Sequence, residues 1–354
     1  MASNVGFTYW SHDIGGHMHG YKDGEQFLKF IQFGIFSPIN RLHCSCEEMF
    51  DKNPLLFLKG NREMIKHFLR LRHQMIPYIY SFTFETNEHG YPLCKPLYYE
   101  HPNDELSFKY ADTEYFFAND ILIRPFFEPA NKNGLNKVQM YFPNGEYYDL
   151  FYGYHYKGIK ELTIYRENES VPAFIKKGAF FVLDARNTGN DIDEPKELNV
   201  ITSTGNGEYV FYEDGGVTTF VNKEIREGEQ LISISGNHMS RRFNFKILNL
   251  HKNVEIQVSN CEFIEKHECG EFLEISVFLL GKTGEISIKY KLINYLYVVK
   301  NDLVRRLSYL DDFNDERQKV YRDIMSSKSI DELESVIKES KLQLHNQMAL
   351  LELI

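Results

Sequence analysis

Tryptophan is almost missing from these 354 residues, with a single example at Trp10. The aromatic share of 15% therefore comes from 28 Phe and 23 Tyr, a mixture that suits β-sandwich cores and sugar-stacking surfaces alike. Cysteine is sparse too, at Cys44, Cys46, Cys94, Cys261 and Cys269. An odd, scattered set in a chain this long does not make a disulfide scaffold and fits a reducing cytoplasm. Positive charge runs short, with 40 Lys and Arg against 50 Asp and Glu for a formal net charge of −10. That counts against a nucleic-acid partner, which demands a basic face. No apolar run reaches membrane-spanning length, and no basic-then-apolar leader precedes Phe7. The expectation is a soluble, cytoplasmic protein with no membrane partner. Internal repeats and low-complexity tracts are absent, and oligomeric state leaves no signal. What is present is an ordinary globular composition, 43% hydrophobic and 25% charged, long enough for two or three domains.

The densest chemistry lies in residues 7–20, FTYWSHDIGGHMHG. The apolar run Phe7 to Trp10 predicts a short buried strand that breaks at Ser11-His12-Asp13 and turns at Gly15-Gly16. A second strand candidate, Phe33 to His43, ends in Arg41 and His43. Two consecutive strands delivering ionisable groups at the same end suggest one shared pocket, the arrangement found at the C-terminal face of an α/β barrel. Between them, Asp23 to Gln32 reads as a short helix with an acidic start. Residues 61–84 carry apolar side chains at near-helical spacing, with Pro77 bending or interrupting the helix. Residues 1–83 are thus a βαβα unit. Its parallel strands would leave a sheet edge and an apolar face uncovered, so more of the barrel is expected N-terminal to them.

From residue 84 the period becomes alternating, with turn signals at short intervals, which predicts a β-sandwich over 84–184. The aperiodic stretch 184–196 marks a boundary, and a second sandwich is expected over 185–290. Residues 291–354 turn helical. Ser329-Ile-Asp-Glu332 has capping-box spacing, and the apolar stripe that follows is expected to pack on the sandwich or barrel.

The motifs Trp10-Ser-His-Asp-Ile-Gly-Gly16, Ser37-Pro-Ile-Asn-Arg-Leu-His43 and Leu71-Arg-His-Gln-Met-Ile-Pro-Tyr-Ile-Tyr80 occur in that order. With Pro92-Leu-Cys-Lys-Pro-Leu, Val171-Pro-Ala-Phe-Ile-Lys-Lys-Gly and Phe211-Tyr-Glu-Asp-Gly, they resemble family 31 of the glycoside hydrolases, in its C-terminal portion, over roughly residues 5–225. Members of that family are retaining α-glycosidases, chiefly α-glucosidases and α-xylosidases. The resemblance implies the last two βα units of a (β/α)8 barrel, then two β-sandwich domains, followed here by a helical tail. It implies an enzyme acting on terminal α-glycosidic bonds of oligosaccharides and requires no cofactor. The family's nucleophile and acid/base belong to the fourth and sixth strands. Trp10 to Gly16 is similar to the end of the seventh, so both would be absent here and the isolated chain inactive without the missing N-terminal barrel half. The substrate-binding residues the resemblance implies are Asp13 beneath the glycone, His43 on sugar hydroxyls, and Trp10 packed beside them. His17 departs from the Phe that most members carry.

Other readings remain open at this point. Asp13 as a cap for the glycine turn and His43 as a structural histidine are the simpler alternatives. A metal centre from His12, Asp13, His17, His19, His43, Cys44 and Cys46 is possible by residue type. Its spacing matches no compact zinc motif, and the two glycines are expected to put the histidines on different sides of a turn, so no metal is assigned. The turn Glu213-Asp214-Gly215 could hold Ca²⁺, against the simpler reading of a solvated hairpin tip. A non-catalytic carbohydrate-binding module, using Tyr147, Tyr148 or Tyr154, and an inactive truncated fragment are the functional alternatives.

Overall fold

Asp23 opens the first helix as its N-cap: its φ/ψ is extended, and its carboxylate accepts from the Gln26 N–H at 2.7 Å, satisfying one donor that a helix start leaves free. The computed structural model describes residues 2–17, 21–45, 47–237, 240–248, 254–269, 272–290 and 295–354, and the architecture is given for these. Helix α1 (Gly24–Gly34) buries Phe27, Leu28 and Ile31. It connects strand β1 (Ser11–Ile14) to β2 (Ile39–Leu42), which pair in parallel from Ser11↔Ile39 to Ile14↔Leu42, as a crossover helix requires.

Both strands begin later than expected. Phe7 and Tyr9 are 65% and 43% exposed, and residues 7–10 lie outside the β1–β2 pairing. An apolar run becomes a buried strand only when another strand or helix covers it, and β2 reaches no further than Ser11. In the second candidate, Phe33 stays in α1 and only Ile39–Leu42 extends.

Helices α2 (Lys59–Gln74) and α3 (Ile76–His89) meet at Met75, with Pro77 in the first turn of α3, where its missing N–H costs nothing. The Arg72 guanidinium of α2 donates to the carbonyls of Ile35 (2.7 Å), Ser37 (2.5 Å) and Pro38 (2.8 Å), tying the turn that leads into β2. Burial pulls its pKa down to about 10.

Next come β3 (Cys94–Pro96), α4 (Glu105–Lys109), β4 (Tyr115–Phe117), β5 (Ile121–Ile123), β6 (Leu135–Phe142), β7 (Glu146–Asp149), β8 (His155–Lys157), β9 (Lys160–Glu167) and β10 (Ala173–Lys176). Their sheet order is β3-β4-β5-β10-β7-β8, with β6-β9 as a separate pair. The aromatic surplus fills the space between: Phe142 lies 4.9 Å from both Tyr156 and Phe174. The distal sandwich comprises β11 (Phe180–Asp184), β12 (Glu197–Ser203), β13 (Gly207–Glu213), β14 (Gly216–Arg226), β15 (Glu229–Gly236), β16 (Arg241–Leu248), β17 (Glu255–Ser259), β18 (Cys261–Cys269), β19 (Phe272–Leu279) and β20 (Thr283–Lys289). They form two five-stranded sheets, β11-β12-β16-β19-β18 and β13-β14-β15-β20-β17. β11 pairs along its whole length with β12. The segment expected to close the first sandwich therefore opens the second, and the aperiodic stretch after it is a loop inside one sheet.

Helix α3 docks on this distal sandwich: Tyr78 packs edge-on against Phe181 at 4.9 Å, and Ser81 Oγ accepts from the Tyr212 N–H at 2.9 Å. Helices α5 (Tyr295–Leu307), α6 (Asn314–Ser326), α7 (Ile330–Glu339) and α8 (Leu344–Leu351) close the chain. Ser329 caps α7 by accepting from Glu332 N–H at 3.1 Å. The α7 stripe, Leu333 and Ile337, is buried with Val320, Ile324 and Leu350 of the neighbouring helices, and this cluster reaches the sandwich through Leu135 and Tyr165.

Candidate functional site at the strand tips

The parallel register sets Asp13 opposite Arg41, and their side chains form an ion pair through Asp13 Oδ1. The ladder continues one step further, with the His43 N–H donating to Ile14 O at 2.9 Å. Gly15 and Gly16 then reverse the chain at φ +101° and +96°, a region that L side chains rarely adopt. A Cβ on Gly15 would lie 2.9 Å from Lys52 Cδ and 3.0 Å from both His43 O and the Phe27 ring. The reversal returns His17 to the strand tips, its Nδ1 2.7 Å from Asp13 Oδ2. Its ring stacks on that of His43, with centroids 4.9 Å apart and planes 25° apart.

The site is thus Asp13, Arg41, His17 and His43 at the C-terminal ends of two parallel strands. The Asp13 side chain is 22% exposed and that of His17 67%. A carboxylate held between a guanidinium and an imidazole, in partial contact with water, is equipped to accept from polyol hydroxyls while the imidazoles donate or accept.

Trp10 is not brought to it. Trp10 and His12 lie on the face toward α1, with ring centroids 5.6 Å apart, and His12 stacks on Phe33 at 4.7 Å. Side chains alternate across a strand, so His12 and Ile14 of β1 face away from Asp13, and Trp10, just before the strand, packs on His12. Trp10 lines a separate cavity of about 320 Å³ with Cys94, Tyr115 and Phe127. Burial lowers the His12 pKa. A larger cleft of about 810 Å³ runs from Gly15 and Gly16 past Asp23 and Lys29 to Phe127 and Glu128, beside the turn.

Other candidates are relocated as well. Tyr147 and Tyr148 are 0% and 2% exposed and cannot stack on a saccharide. Tyr154 accepts from Arg305 and packs under the C-terminal helices. Glu213 is buried, pairing with Arg241 at 2.6 and 2.7 Å, and Asp214 accepts from the Tyr80 hydroxyl. Both carboxylates of the acidic turn are engaged, so it is no free cation cradle. Its tip, Asp214 and Gly215, is exposed at the end of the β13–β14 hairpin, as the simpler reading expected, and only Glu213 is buried. The expectation that the glycines separate the histidines fails for His17, because two successive positive-φ residues fold it back, and holds for His12. His19 and Cys46 lie outside the described residues.

The family model described as "Glycosyl hydrolases family 31 TIM-barrel domain" matches residues 1–82, and the "Glycosyl hydrolase family 31 C-terminal domain" matches residues 90–181. The chain belongs to glycosyl hydrolase family 31. Among relatives, "Alpha-glucosidase 2" of Bacillus thermoamyloliquefaciens is 29% identical over 247 residues, 66% of this chain and 30% of its own length. "Alpha-xylosidase" of Saccharolobus solfataricus is 30% identical over 219 residues, 60% of this chain and 29% of its own. The chain thus spans under a third of the length of these curated relatives. The structure of a family 31 dextranase from Flavobacterium johnsoniae, complexed with glucose, matches with a TM-score of 0.68 at 22% identity, covering 81% of this chain and 40% of that one. This likeness supports the fold: a family 31 barrel end followed by two sandwiches. Arg41, expected at the shared pocket but given no role, and His17, expected only as a departure from the family and a possible metal donor, complete the cluster. The parallel register was the available signal for Arg41, and the double glycine for His17.

Proposed function

We propose that this chain supplies the glycone-binding end of a retaining α-glycosidase, in the first instance an α-glucosidase, that hydrolyses terminal α-glycosidic bonds in oligosaccharides. The observation that carries this reading is the convergence of Asp13, Arg41 and His43 at the strand tips of a family 31 barrel segment. Hydrogen bonds to sugar hydroxyls that tighten as the oxocarbenium-like transition state forms lower the barrier. Asp13 Oδ2 is the acceptor for one hydroxyl and His43 addresses the neighbouring one.

Retention also needs two carboxyl groups about 5–5.5 Å apart across the scissile bond. Asp13 is the one carboxylate in the described cluster, so this reading assigns the nucleophile and acid/base to strands that come earlier in the barrel. Two features support a partner for this half: among the described residues β1 and β2 pair only with each other, and Phe7, Ile39, Leu42 and Leu58 are exposed. The reading invokes no cofactor and no nucleic acid. It places the chain in a reducing cytoplasm, in keeping with the free Cys44, Cys94 and Cys261.

The test is an assay of a chromogenic α-glucoside and α-xyloside with this chain alone and with the upstream barrel half supplied. Hydrolysis only in the combination is expected. Robust hydrolysis by this chain alone would overturn the assignment of the catalytic pair. Saccharide binding that survives loss of Asp13 would favour a carbohydrate-binding module instead, although burial of Tyr147 and Tyr148 removes two of the stacking surfaces that module would use.

A further inference from the structure

We propose that Asp13, His17 and His43 form a binding site for a divalent transition-metal ion of the zinc class, at the tips of β1 and β2. Each residue offers a ligand atom, and these atoms all lie within 4.8 Å of one another. Two imidazoles and a carboxylate are a donor set that zinc takes, with a fourth position left for water. Bonds of about 2.0–2.2 Å to a tetrahedral ion put neighbouring donors about 3.3 Å apart. The cluster needs to close by no more than about 1.5 Å at its widest to reach that geometry. His17 can make the movement, because its side chain is 67% exposed and follows two positive-φ glycines.

Two further observations point to a cation. Among the described residues, His43 Nδ1 is buried with no hydrogen-bond partner, a state that folded proteins rarely leave uncompensated. Asp13 also divides its oxygens: Oδ1 takes Arg41 and Oδ2 lies 2.7 Å from His17 Nδ1. A proton bridges that second contact. When the ion binds, its bonds to the carboxylate and the imidazoles form, that proton leaves to solvent, and the metal's oxidation state does not change. Arg41 then acts as the outer partner that orients a ligating carboxylate, while its charge and that of Lys52, packed over Gly15, temper the affinity.

The site stands on this geometry alone. One consequence rests on the proposed function: ion and sugar compete, since both need Asp13 Oδ2 and His43. The experiment is isothermal titration of the chelator-stripped, full 354-residue chain with Zn²⁺, and separately with Mg²⁺. One Zn²⁺ per chain is expected, with no Mg²⁺ uptake, because two imidazoles suit zinc and an oxygen-seeking ion does not take them. His17→Phe and His43→Gln should each weaken Zn²⁺ by more than about tenfold. His345→Ala, which removes a half-exposed histidine paired with Asp311 on the distant helices, should leave it unchanged. Circular dichroism confirms that each variant is folded; His17 is exposed enough to be replaced without unfolding. Absence of stoichiometric Zn²⁺ binding, or equal affinity in His17→Phe, overturns the proposal. Glycosidase activity of the two assembled halves in excess chelator reports on the sugar reading independently, so the two can fail separately.

Discussion

Asp13 and His17 are four residues apart, yet the carboxylate and imidazole meet at 2.7 Å because Gly15 and Gly16 turn the chain between them. The contact is therefore a property of backbone conformation before it is one of side-chain chemistry. Gly15→Ala must hold φ near +101° and place a methyl 2.9 Å from Lys52 Cδ and 3.0 Å from His43 O. The Lys52 chain can yield, but the carbonyl belongs to the backbone of His43, whose own N–H is tied to Ile14 O at 2.9 Å. A loss of about 1–3 kcal/mol is expected from the combined strain, read as a lower urea midpoint. A midpoint equal to wild type would mean the turn has another conformation.

Arg72 holds three carbonyls of the turn into β2. Removing it leaves those acceptors in a buried site, at about 1–3 kcal/mol for each that water cannot reach. Arg72→Met, which keeps most of the stem, is expected to lower stability by more than about 2 kcal/mol. Arg72→Lys should recover part of that, since an ammonium reaches fewer carbonyls than a guanidinium fork. Equilibrium unfolding of the two variants checks both statements.

Much of this architecture is legible in the amino-acid order, and the misses share a cause. The runs at 121–123 and 173–175 are apolar throughout, and both became central strands. Asp23 and Ser329 announce helix starts because a cap needs only its own next few residues. Phe7 to Trp10 and Phe180 to Leu183 are equally apolar, but their roles depend on which strand lies alongside, a long-range fact that local pattern does not hold. Asp13 and His43 are legible through the family motifs. The place of Trp10 is not legible, because it precedes β1, which starts at Ser11, and is set by its packing on His12. The burial of Glu213 follows from Arg241, a residue 28 positions away with no local mark.

The separation of Trp10 from Asp13 makes the two residues unequal under the proposed function. In the enzyme assembled with its upstream half, Asp13→Ala removes an acceptor for a glycone hydroxyl and the partner of Arg41. A fall in kcat/KM of about a hundredfold or more is expected, in line with loss of a charge-assisted hydrogen bond in the transition state. Trp10→Phe alters packing against His12 and the 320 Å³ cavity and should leave kcat/KM within about threefold, with a lower melting temperature. Comparable kinetic losses in both would place Trp10 at the sugar after all.

The C-terminal helices are joined to the first sandwich by buried charges. Glu352 receives Arg166 at 2.9 Å, Arg306 at 3.1 Å and the Tyr156 hydroxyl at 2.5 Å, while Arg166 also holds Asp149 and Arg306 holds Glu167. Burial opposes ionisation of Glu352, yet the Arg166 and Arg306 guanidiniums bring its pKa below the usual carboxylate value, and Glu167 follows the same pattern with Arg306 and Arg305. A depressed folded-state pKa means stability that is fully present above the unfolded value of about 4.3 and is lost as pH falls through the folded one. Glu352→Gln leaves two buried guanidiniums short of one counter-charge and is expected to cost about 3–5 kcal/mol near neutrality. Its own share of the acid dependence should vanish with the carboxylate. Urea midpoints from pH about 7 to about 3 should therefore converge for wild type and variant. Parallel curves, separated by the same amount at every pH, would mean that Glu352 contributes through packing and not through its charge.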